Sequence, residues 1–501
     1  MNLVELADQN YIKFGEIPAI VYEDQYYTNL QLITSANQLA NGLAKLGIKP
    51  KSRVVVMLKN SPEVLISYQA LLRISAIVVP TLFLLDAKEV AHILTNSEAT
   101  AVITDKEFLE TINSAKKDVR SLKHVIVTGN EEIPGTLSMS ELMKNSPVEK
   151  PDIKLEENHM AVLLYTSGTT GDPKGVILTH KNLYSNALSS SKLDHQRDPN
   201  EASLFLLPLS HSFGLTVMNM GFMYPNLNVM IPWFEVEKAC QLIEKYKITG
   251  FAAVPTIFTL LLNNPDITAK YDLSSLKECV SGAAPLTAEV MQEFEGKFGC
   301  RIYQGYGLSE AGPIVTAHYR NRPIKPGSIG QALPDVEIKI VDENDEEVGV
   351  NEVGELIVFG PSVSPGYYNL PVLTKQAFRD GWLYTGDMVK MDEEGYLYIV
   401  DRKKDVIIRG GFNIIPRDIE EVLLRHPAVS DVAVIGIQDR IMGEEIKAFI
   451  ATQPGNNVNE EEIIEHCKDY LADYKCPKHI EFINSIPRNA IGKILRKELR
   501  R

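Results

Sequence analysis

The sequence is poor in cysteine and tryptophan, with five and two of these residues among 501. The cysteines are widely scattered and form neither a Cys-x-x-Cys pair nor a cluster with histidine. This distribution argues against a disulfide framework and against a structural zinc site. It predicts reduced, mostly buried thiols in a cytoplasmic protein, at Cys240, Cys279, Cys300, Cys467 and Cys476.

The chain also has fewer positively charged residues than negatively charged ones. It contains 51 Lys and Arg and 65 Asp and Glu, which gives a formal net charge of −14. An acidic surface repels phosphate backbones, so we expect no nucleic-acid partner. A bound nucleotide would therefore need a local device that attracts anions.

The sequence offers no convincing signal peptide or transmembrane segment. Its N-terminus lacks the basic and apolar regions of a secretory signal. The stretch 204–234 contains no Asp, Glu, Lys or Arg, but prolines, asparagines and His211 interrupt it. A bilayer helix needs roughly 20 continuous apolar residues. We therefore predict a buried segment that lines an apolar pocket.

Strand and helix patterns alternate through the first two thirds of the chain, which predicts parallel βαβ units. After about residue 325, short alternating segments such as 337–341 and 355–358 predict antiparallel strands in a small β-barrel-like subdomain. A charged junction at 401–405 precedes a compact α+β unit, which includes a predicted strand at 446–451. The sequence also predicts a Thr28–Gln31 capping box, a helix near 236–246 and a cap formed by Asn459 and Glu462. The sequence thus predicts an α/β fold, with a large N-terminal domain (1–401) built on parallel sheets and a small C-terminal domain (402–501).

The clearest chemical signal is a loop from Thr166 to Val176, which follows an apolar strand pattern at 163–165. Four hydroxyl side chains, three glycines and Lys174 lie in this loop. Glycines let backbone N–H groups approach an anion, hydroxyls add donors, and a lysine adds charge. The loop therefore fits a polyphosphate, although its spacing is not the GxxxxGK[ST] of an ordinary P-loop.

This loop resembles the phosphate loop of the adenylate-forming enzymes, which are the acyl-CoA ligases, the nonribosomal peptide synthetase adenylation domains and the luciferases. Further motifs of that family follow in the same order, so the resemblance covers essentially the whole chain and is greatest to fatty-acid–CoA ligases. It implies a large N-terminal domain, a mobile C-terminal domain and an active site between them. It assigns phosphate binding to Thr166, Ser167, Gly168, Thr169, Thr170, Gly171, Lys174 and Ser309.

The segment 303–310 resembles the family's adenine and metal motif, in which Tyr306 stacks on adenine and Glu310 holds Mg²⁺. A magnesium ion commonly takes only one or two carboxylates together with phosphate oxygens. The segment 281–285 resembles the loop on the other side of adenine. The adenine contacts implied by the resemblance are Gly282, Ala283, Ala284, Gly305, Tyr306 and Gly307.

Two further motifs concern the ribose and the thiol. The resemblance places Asp387 on the ribose hydroxyls, with Arg402 assisting, and an ionised carboxylate suits a diol. It makes Lys404 the hinge of the C-terminal domain. It also brings Gly410, Gly411 and Phe412 to the pantetheine arm of coenzyme A, although relatives often carry Glu where Phe412 stands.

The segment 487–495 resembles the family's catalytic lysine motif, with Lys493 at a loop tip. Joining a carboxylate to the α-phosphate of ATP brings like charges together, which costs about 4 kcal/mol at 4 Å and an effective dielectric near 20. Lys493 and Mg²⁺ on Glu310 would offset that repulsion. His211 is expected beside the carboxylate pocket as a pocket or gating residue.

The sequence therefore predicts an enzyme that uses ATP and Mg²⁺ to form an acyl-adenylate, releases pyrophosphate, and passes the acyl group to coenzyme A. A fatty acid is the favoured substrate, followed by an aromatic or alicyclic acid, in a pocket formed by parts of 204–234, 254–258 and 281–285. One alternative is a stand-alone adenylation enzyme that loads a carrier protein. Another is a non-catalytic nucleotide-binding protein. A homodimer is compatible with the sequence.

Overall fold

The structure is a computed structural model, and it describes residues 2–129, 131–166, 173–193, 201–403, 405–409, 412–440, 442–453, 455–456, 458–471, 473–488 and 494–500. Within these residues the chain folds into two compact units. The first comprises 1–338 and 358–383, and the second comprises 339–357 and 384–501. The predicted domain boundary at 401/402 stays a prediction.

The described α-helices are α1 Val4–Phe14, α2 Asn29–Lys45, α3 Pro62–Arg73, α4 Ala87–Asn96, α5 Leu109–Ala115, α6 Met139–Lys144, α7 His180–Ser191, α8 Ser212–Gly221, α9 Val236–Tyr246, α10 Pro255–Leu262, α11 Pro265–Thr268, α12 Ala288–Phe298, α13 Pro371–Ala377, α14 Pro416–Leu424, α15 Glu460–Tyr470 and α16 Arg496–Leu499.

The described strands are β1 Pro18–Tyr22, β2 Gln25–Thr28, β3 Arg53–Met57, β4 Ile77–Pro80, β5 Ala101–Thr104, β6 His124–Val127, β7 Leu137–Ser138, β8 Met160–Thr166, β9 Lys174–Thr179, β10 Ala202–Phe205, β11 Leu227–Met230, β12 Gly250–Ala253, β13 Glu278–Ser281, β14 Arg301–Gly307, β15 Ile314–Ala317, β16 Gln331–Ala332, β17 Glu337–Val341, β18 Gly354–Phe359, β19 Phe378–Arg379, β20 Trp382–Met391, β21 Leu397–Arg402, β22 Ile407–Arg409, β23 Phe412–Ile414, β24 Val429–Asp439, β25 Gly443–Thr452 and β26 His479–Phe482.

Two large sheets build the first unit. The nine-stranded sheet has the order β16-β15-β14-β13-β12-β10-β11-β1-β2, and its strands from β14 to β1 run parallel to their neighbours. The seven-stranded sheet has the order β7-β6-β5-β3-β4-β8-β9. The parallel strands carry continuous apolar runs such as Val54-Val55-Val56 because helices cover both faces of such sheets.

Several helices of this unit begin at short polar side chains that cap them. In α2 the Thr28 side chain accepts from the Gln31 N–H, and the Gln31 side chain accepts from the Thr28 N–H, which confirms the predicted capping box. Leu39, Ala40 and Leu43 of the same helix are fully buried, since they share the face that packs on the core. The boundaries predicted for α9 are also confirmed.

The second unit contains the predicted α+β region. Strands β24 and β25 form a long antiparallel hairpin, β26 lies parallel to β25, and β22 and β23 complete the sheet. Helices α14 and α15 bury Ile419, Leu423 and Ile463 against it. The predicted Asn459–Glu462 cap of α15 is confirmed. Antiparallel pairing of β20 with β21 confirms the change of strand type after residue 325.

The structure gives the positions of the cysteines and of the charge-free stretch. All five cysteines are buried and free of disulfides. The charge-free stretch 204–234 folds as strands β10 and β11 around the ten-residue helix α8. A search of the described helices finds none with the length and apolar character needed to cross a bilayer.

Candidate active site

The predicted adenine loops meet at the carboxyl edge of the nine-stranded sheet. Strands β13 and β14 are parallel neighbours, with Ser281 opposite Gln304. Gly282 therefore lies next to Gly305, and a Cβ on Gly282 would lie 3.5 Å from the Gly305 carbonyl oxygen and 3.2 Å from the Phe213 ring. Open α/β sheets bind ligands at this edge. The structure thus brings the two adenine motifs together.

A chamber of ≈ 200 Å³ opens from these loops along the sheet. Gly282, Ala283, Gly305, Tyr306 and Gly307 border one end of it. Beyond them the walls are mainly apolar and include Phe205, Phe213, Val217, Met220, Ala252 and Val280. An apolar chamber with a few polar groups at its mouth is the usual form of a small-molecule site.

The far end of the chamber carries charge. The guanidinium of Arg320 binds the Glu278 carboxylate, with 2.7 Å between Nε and Oε2, and it lies over the Tyr303 ring at 5.7 Å. His318 also borders the chamber. Burial lowers the pKa of His318 to about 4, so its ring is neutral and its Nδ1 accepts from the Gln304 N–H at 3.0 Å.

The segment before α8 connects the chamber to the phosphate motif. His211 precedes the helix, and its Nδ1 accepts from the Phe213 N–H at 3.3 Å. The next residue, Ser212, is buried, and its hydroxyl lies 3.2 Å from the Ser309 hydroxyl. The structure therefore places predicted residues His211 and Ser309 on either side of Ser212, which the sequence analysis did not single out.

Glu310, the predicted metal ligand, is held by a tyrosine from a distant segment. The Tyr367 hydroxyl donates to Glu310 Oε1 at 2.8 Å, and Lys174 Nζ lies 5.6 Å from the centre of the Tyr367 ring. Burial, together with the Glu310 carboxylate, raises the pKa of Tyr367, so the phenol stays protonated as a donor. Tyr367 thus contacts both the carboxylate and the lysine beside the phosphate loop.

The first and last of the predicted phosphate-binding residues in this loop pair with each other in the sheet. Thr166 closes β8 and Lys174 opens β9, and the two are opposite each other in the antiparallel ladder. The predicted phosphate ligands between them, Ser167, Gly168, Thr169, Thr170 and Gly171, lie outside the described residues. The flanking strands hold both ends of that loop close to Tyr367, which pairs with Val176.

In the second unit the predicted ribose residues form an ion pair. Arg402 Nε lies 2.8 Å from Asp387 Oδ1, and only 4% of the Asp387 side chain is exposed. Nearby, Glu355 accepts from the Gly386 N–H at 2.9 Å and from Lys403 Nζ at 2.8 Å. The Lys403 N–H also donates to the Gly386 carbonyl at 2.9 Å. These bonds fix the turn that carries Asp387.

Four predicted residues of the C-terminal region lie outside the described residues, namely Lys404, Gly410, Gly411 and Lys493. Phe412 opens strand β23 with its side chain 57% exposed. The hinge, thiol and catalytic-lysine roles therefore stay predictions from the resemblance.

The predicted acyl pocket needs one correction. Its sheet wall is formed by Thr249–Ala252 of the β12 region, whereas no side chain of 254–258 lines the chamber. Ile257 and Phe258 of α10 pack into the core instead. Within the predicted stretch 204–234, Phe213 and Met220 line the chamber, while Met218 and Phe222 line a neighbouring cavity.

Comparison with known proteins identifies the family of this chain. The AMP-binding enzyme family matches residues 8–368, and the family's C-terminal domain matches 418–493. A long-chain-fatty-acid–CoA ligase of Bacillus subtilis (strain 168) is 37% identical, with 97% of this chain and 92% of that protein covered.

Two solved structures share the fold over the whole chain. The anthranilate CoA ligase AuaEII in complex with anthranoyl-AMP gives a TM-score of 0.91 at 29% identity, covering 100% of this chain and 96% of that one. ATP-bound MatB from Rhodopseudomonas palustris gives a TM-score of 0.90 at 29% identity, covering 100% of this chain and 98% of that one. The chain belongs to the AMP-binding enzyme family. Within that family it is an AMP-forming acid–CoA ligase that uses ATP.

Proposed function

We propose that this ligase activates a fatty acid. The carboxylate attacks the α-phosphorus of ATP and displaces pyrophosphate, which gives the acyl-adenylate. The thiol of coenzyme A then attacks the acyl carbon and releases AMP. The nucleophile of the first step is the substrate itself, so no serine or cysteine nucleophile is required.

One observation carries the proposal, which is the apolar chamber that opens beside Gly282 and Tyr306. A carboxylate at its mouth would lie next to the predicted nucleotide loops, with its alkyl chain among Phe205, Val217 and Met220. Burying each methylene contributes about 0.8 kcal/mol, which favours an alkyl chain over a small polar acid. Methionine adapts to varied ligand shapes, so the chamber suits chains of more than one form.

The residues present fit a magnesium ion supplied with ATP. Glu310 is half-buried, and its Oε1 takes one hydrogen bond from Tyr367. The described residues contain no cluster of three or more His, Cys, Asp or Glu side chains. Mg²⁺ is commonly bound by one or two carboxylates together with substrate phosphates. Glu310 would hold the ion, which would offset negative charge on the phosphates.

The other predicted roles complete the proposal. Thr166, Lys174 and the loop between them would bind the polyphosphate, Ser309 the α-phosphate, and Asp387 the ribose. Lys493 would neutralise charge during adenylation. The C-terminal domain would turn about Lys404 and bring the segment 410–412 to coenzyme A, because the lysine and the thiol cannot occupy the same space.

An ATP–pyrophosphate exchange assay with a panel of acids tests the proposal. The panel pairs straight-chain fatty acids of eight to eighteen carbons with aromatic acids, each with and without Mg²⁺. We expect the highest kcat/KM for a fatty acid, and exchange that requires the metal. A higher kcat/KM for every aromatic acid would contradict the fatty-acid assignment. In a second assay, coenzyme A and a holo-carrier protein are offered as acceptors, and we expect acyl transfer to coenzyme A.

A further inference from the structure

A second, smaller cavity lies beside the acyl chamber. It measures ≈ 30 Å³ and lies among α1, α2, α3, the end of α8 and strands β1, β10 and β11. We call it the rear cavity, and its walls include Asn10, Asn29, Leu65, Gln69, Arg73 and Phe222. Its walls combine apolar side chains with polar ones from α1, α2 and α3.

One wall of the rear cavity holds a deeply buried arginine. The Arg73 side chain is 0% exposed, and its Nη2 binds Asp8 Oδ1 at 2.7 Å. Nε and Nη1 of Arg73 have no hydrogen-bond partner among the described residues, and neither does Oε1 of the buried Gln69. Buried polar groups are nearly always hydrogen-bonded, so two unpaired donors and one unpaired acceptor beside a cavity indicate a polar occupant.

The asparagines on the opposite wall do not share this property. Asn29 donates to Asn10 Oδ1 at 3.0 Å and to the Gly15 carbonyl at 2.8 Å. Asn10 in turn donates to the Tyr224 carbonyl at 3.0 Å. The unused hydrogen-bonding capacity is therefore concentrated on α3, at Gln69 and Arg73.

A single aromatic ring forms much of the partition between the rear cavity and the acyl chamber. Phe205, Gly221 and Asn228 are the residues that line both. Asn228 is fixed by hydrogen bonds to the carbonyls of Ala19 and Asn226. The Phe205 ring packs against Gly221, where an added Cβ would come within 2.9 Å of Cζ. Rotation of the Phe205 side chain is thus the smallest movement that would join the two spaces.

We propose that the rear cavity binds a hydroxyl group at the distal end of an acyl chain, and that Phe205 controls access to it. A hydroxyl can accept from Arg73 and donate to Gln69 at once, which satisfies both kinds of unpaired group. An alkyl end would leave those groups unpaired. Phe205 is therefore a specificity-determining residue, and the substrate class is a hydroxylated fatty acid. This inference rests on the proposed fatty-acid activity.

Paired substrates test the inference. Straight-chain acids of eight to eighteen carbons are compared with their ω-hydroxy counterparts by kcat/KM in the exchange assay. We expect the ω-hydroxy acid to be preferred at the chain lengths that reach the rear cavity. Gln69→Leu should lower that preference about tenfold, because it removes the acceptor, and should leave the shortest alkyl acids unaffected. Gln38→Leu on α2 is the matched control, since Gln38 lines neither cavity.

Phe205→Ala tests the partition. It should extend the accepted chain length and increase kcat/KM more for ω-hydroxy acids than for alkyl acids. Met220→Ala enlarges only the acyl chamber. It should change kcat/KM equally for ω-hydroxy acids and for alkyl acids. Thermal unfolding reports whether each variant folds, and Phe205→Leu replaces the alanine variant if it does not.

Two results would overturn the inference. A hydroxy-to-alkyl ratio of one or less at every length, in the wild type and in the Phe205 variant, would mean that the rear cavity holds only water. Equal effects of Gln69→Leu and Gln38→Leu would remove Gln69 from substrate binding. Activity on alkyl acids tests the fatty-acid proposal separately. The fatty-acid proposal and the rear-cavity inference can therefore be contradicted independently.

Discussion

The Tyr367 hydroxyl donates a hydrogen bond of 2.8 Å to Glu310, joining segments 57 residues apart in the chain. Its ring also lies beneath the ammonium of Lys174. One side chain thus orients the predicted metal ligand and contacts the cation that flanks the phosphate loop. This arrangement gives Tyr367 a positioning role.

Replacing Tyr367 by phenylalanine should impair adenylation. A hydrogen bond to a charged group contributes about 1.5–3 kcal/mol, so we expect kcat/KM to fall roughly 10- to 100-fold. The apparent KM for Mg²⁺ should rise as well, because the carboxylate loses its orienting donor. ATP–pyrophosphate exchange over a magnesium titration measures both quantities. Tyr368→Phe is the control, and equal behaviour of the two variants would contradict the positioning role.

Asp387→Asn should weaken nucleotide binding. The substitution removes the charge that pairs with Arg402 and that would accept hydrogen bonds from the ribose. We expect KM for ATP to rise roughly 10-fold or more, while KM for the acid stays the same. Initial rates at varied ATP give the values, with Asp392→Asn as the control. A rise confined to the acid KM would count against the ribose assignment.

Lys493→Ala should separate the two half-reactions. Removing one positioned charge-stabilising group typically costs about 10²–10³ in rate, and we expect that loss in adenylate formation. Thioester formation from supplied acyl-AMP should continue at the wild-type rate. Lys497→Ala, in α16, is the matched control and should retain both half-reactions. Equal loss of both half-reactions in Lys493→Ala would show that the lysine does not act in adenylation alone.

Asp401 supplies a prediction about stability and pH. Burial raises the pKa of Asp401 to about 6, although backbone N–H groups of Arg402 and Arg417 bind the carboxylate. Its protonated form is therefore favoured in the folded protein. The protonated Asp401 carboxyl therefore contributes to the free energy of unfolding. This contribution is fully present below about pH 4 and is lost as the pH rises through 6.

Asp401→Asn should consequently raise the unfolding midpoint, by a few degrees at pH 7.5 and by less at pH 5. Asp405→Asn is a control with the opposite expected effect. Asp405 accepts a hydrogen bond from Arg500 at 3.0 Å, and loss of this ion pair should lower the unfolding midpoint. Thermal unfolding at the two pH values measures both variants. A larger gain at pH 5 than at pH 7.5 would contradict the raised pKa.

Local patterns in the sequence predicted much of the fold. The Thr28 and Asn459 capping boxes, the bounds of α9 and the buried parallel strands depend on neighbouring residues, so spacing alone reveals them. Strand ends were harder to place. The segment predicted as 446–451 extends to Gly443–Thr452 because its hairpin partner continues the ladder at both ends.

The candidate nucleotide-binding loops are recognisable in the sequence because their glycines and hydroxyls lie close together in the chain. Tyr367, Ser212 and Arg73 were not, since each acquires its position through long-range packing. Tyr367 reaches Glu310 through its pairing with Val176, and Arg73 becomes a cavity wall only when α1, α2, α3 and the end of α8 come together. No periodicity in the sequence encodes such contacts.

The three bonds among Lys403, Glu355 and the Gly386 turn have a mechanical consequence. They clamp the chain immediately before position 404, so a swivel there would leave the Asp387 turn unmoved. The bonds that would have to open are those from the Asp405 and Val406 N–H groups to the Arg402 carbonyl, at 2.9 and 3.1 Å. The Asp387 carboxylate would thus keep its orientation during such a movement.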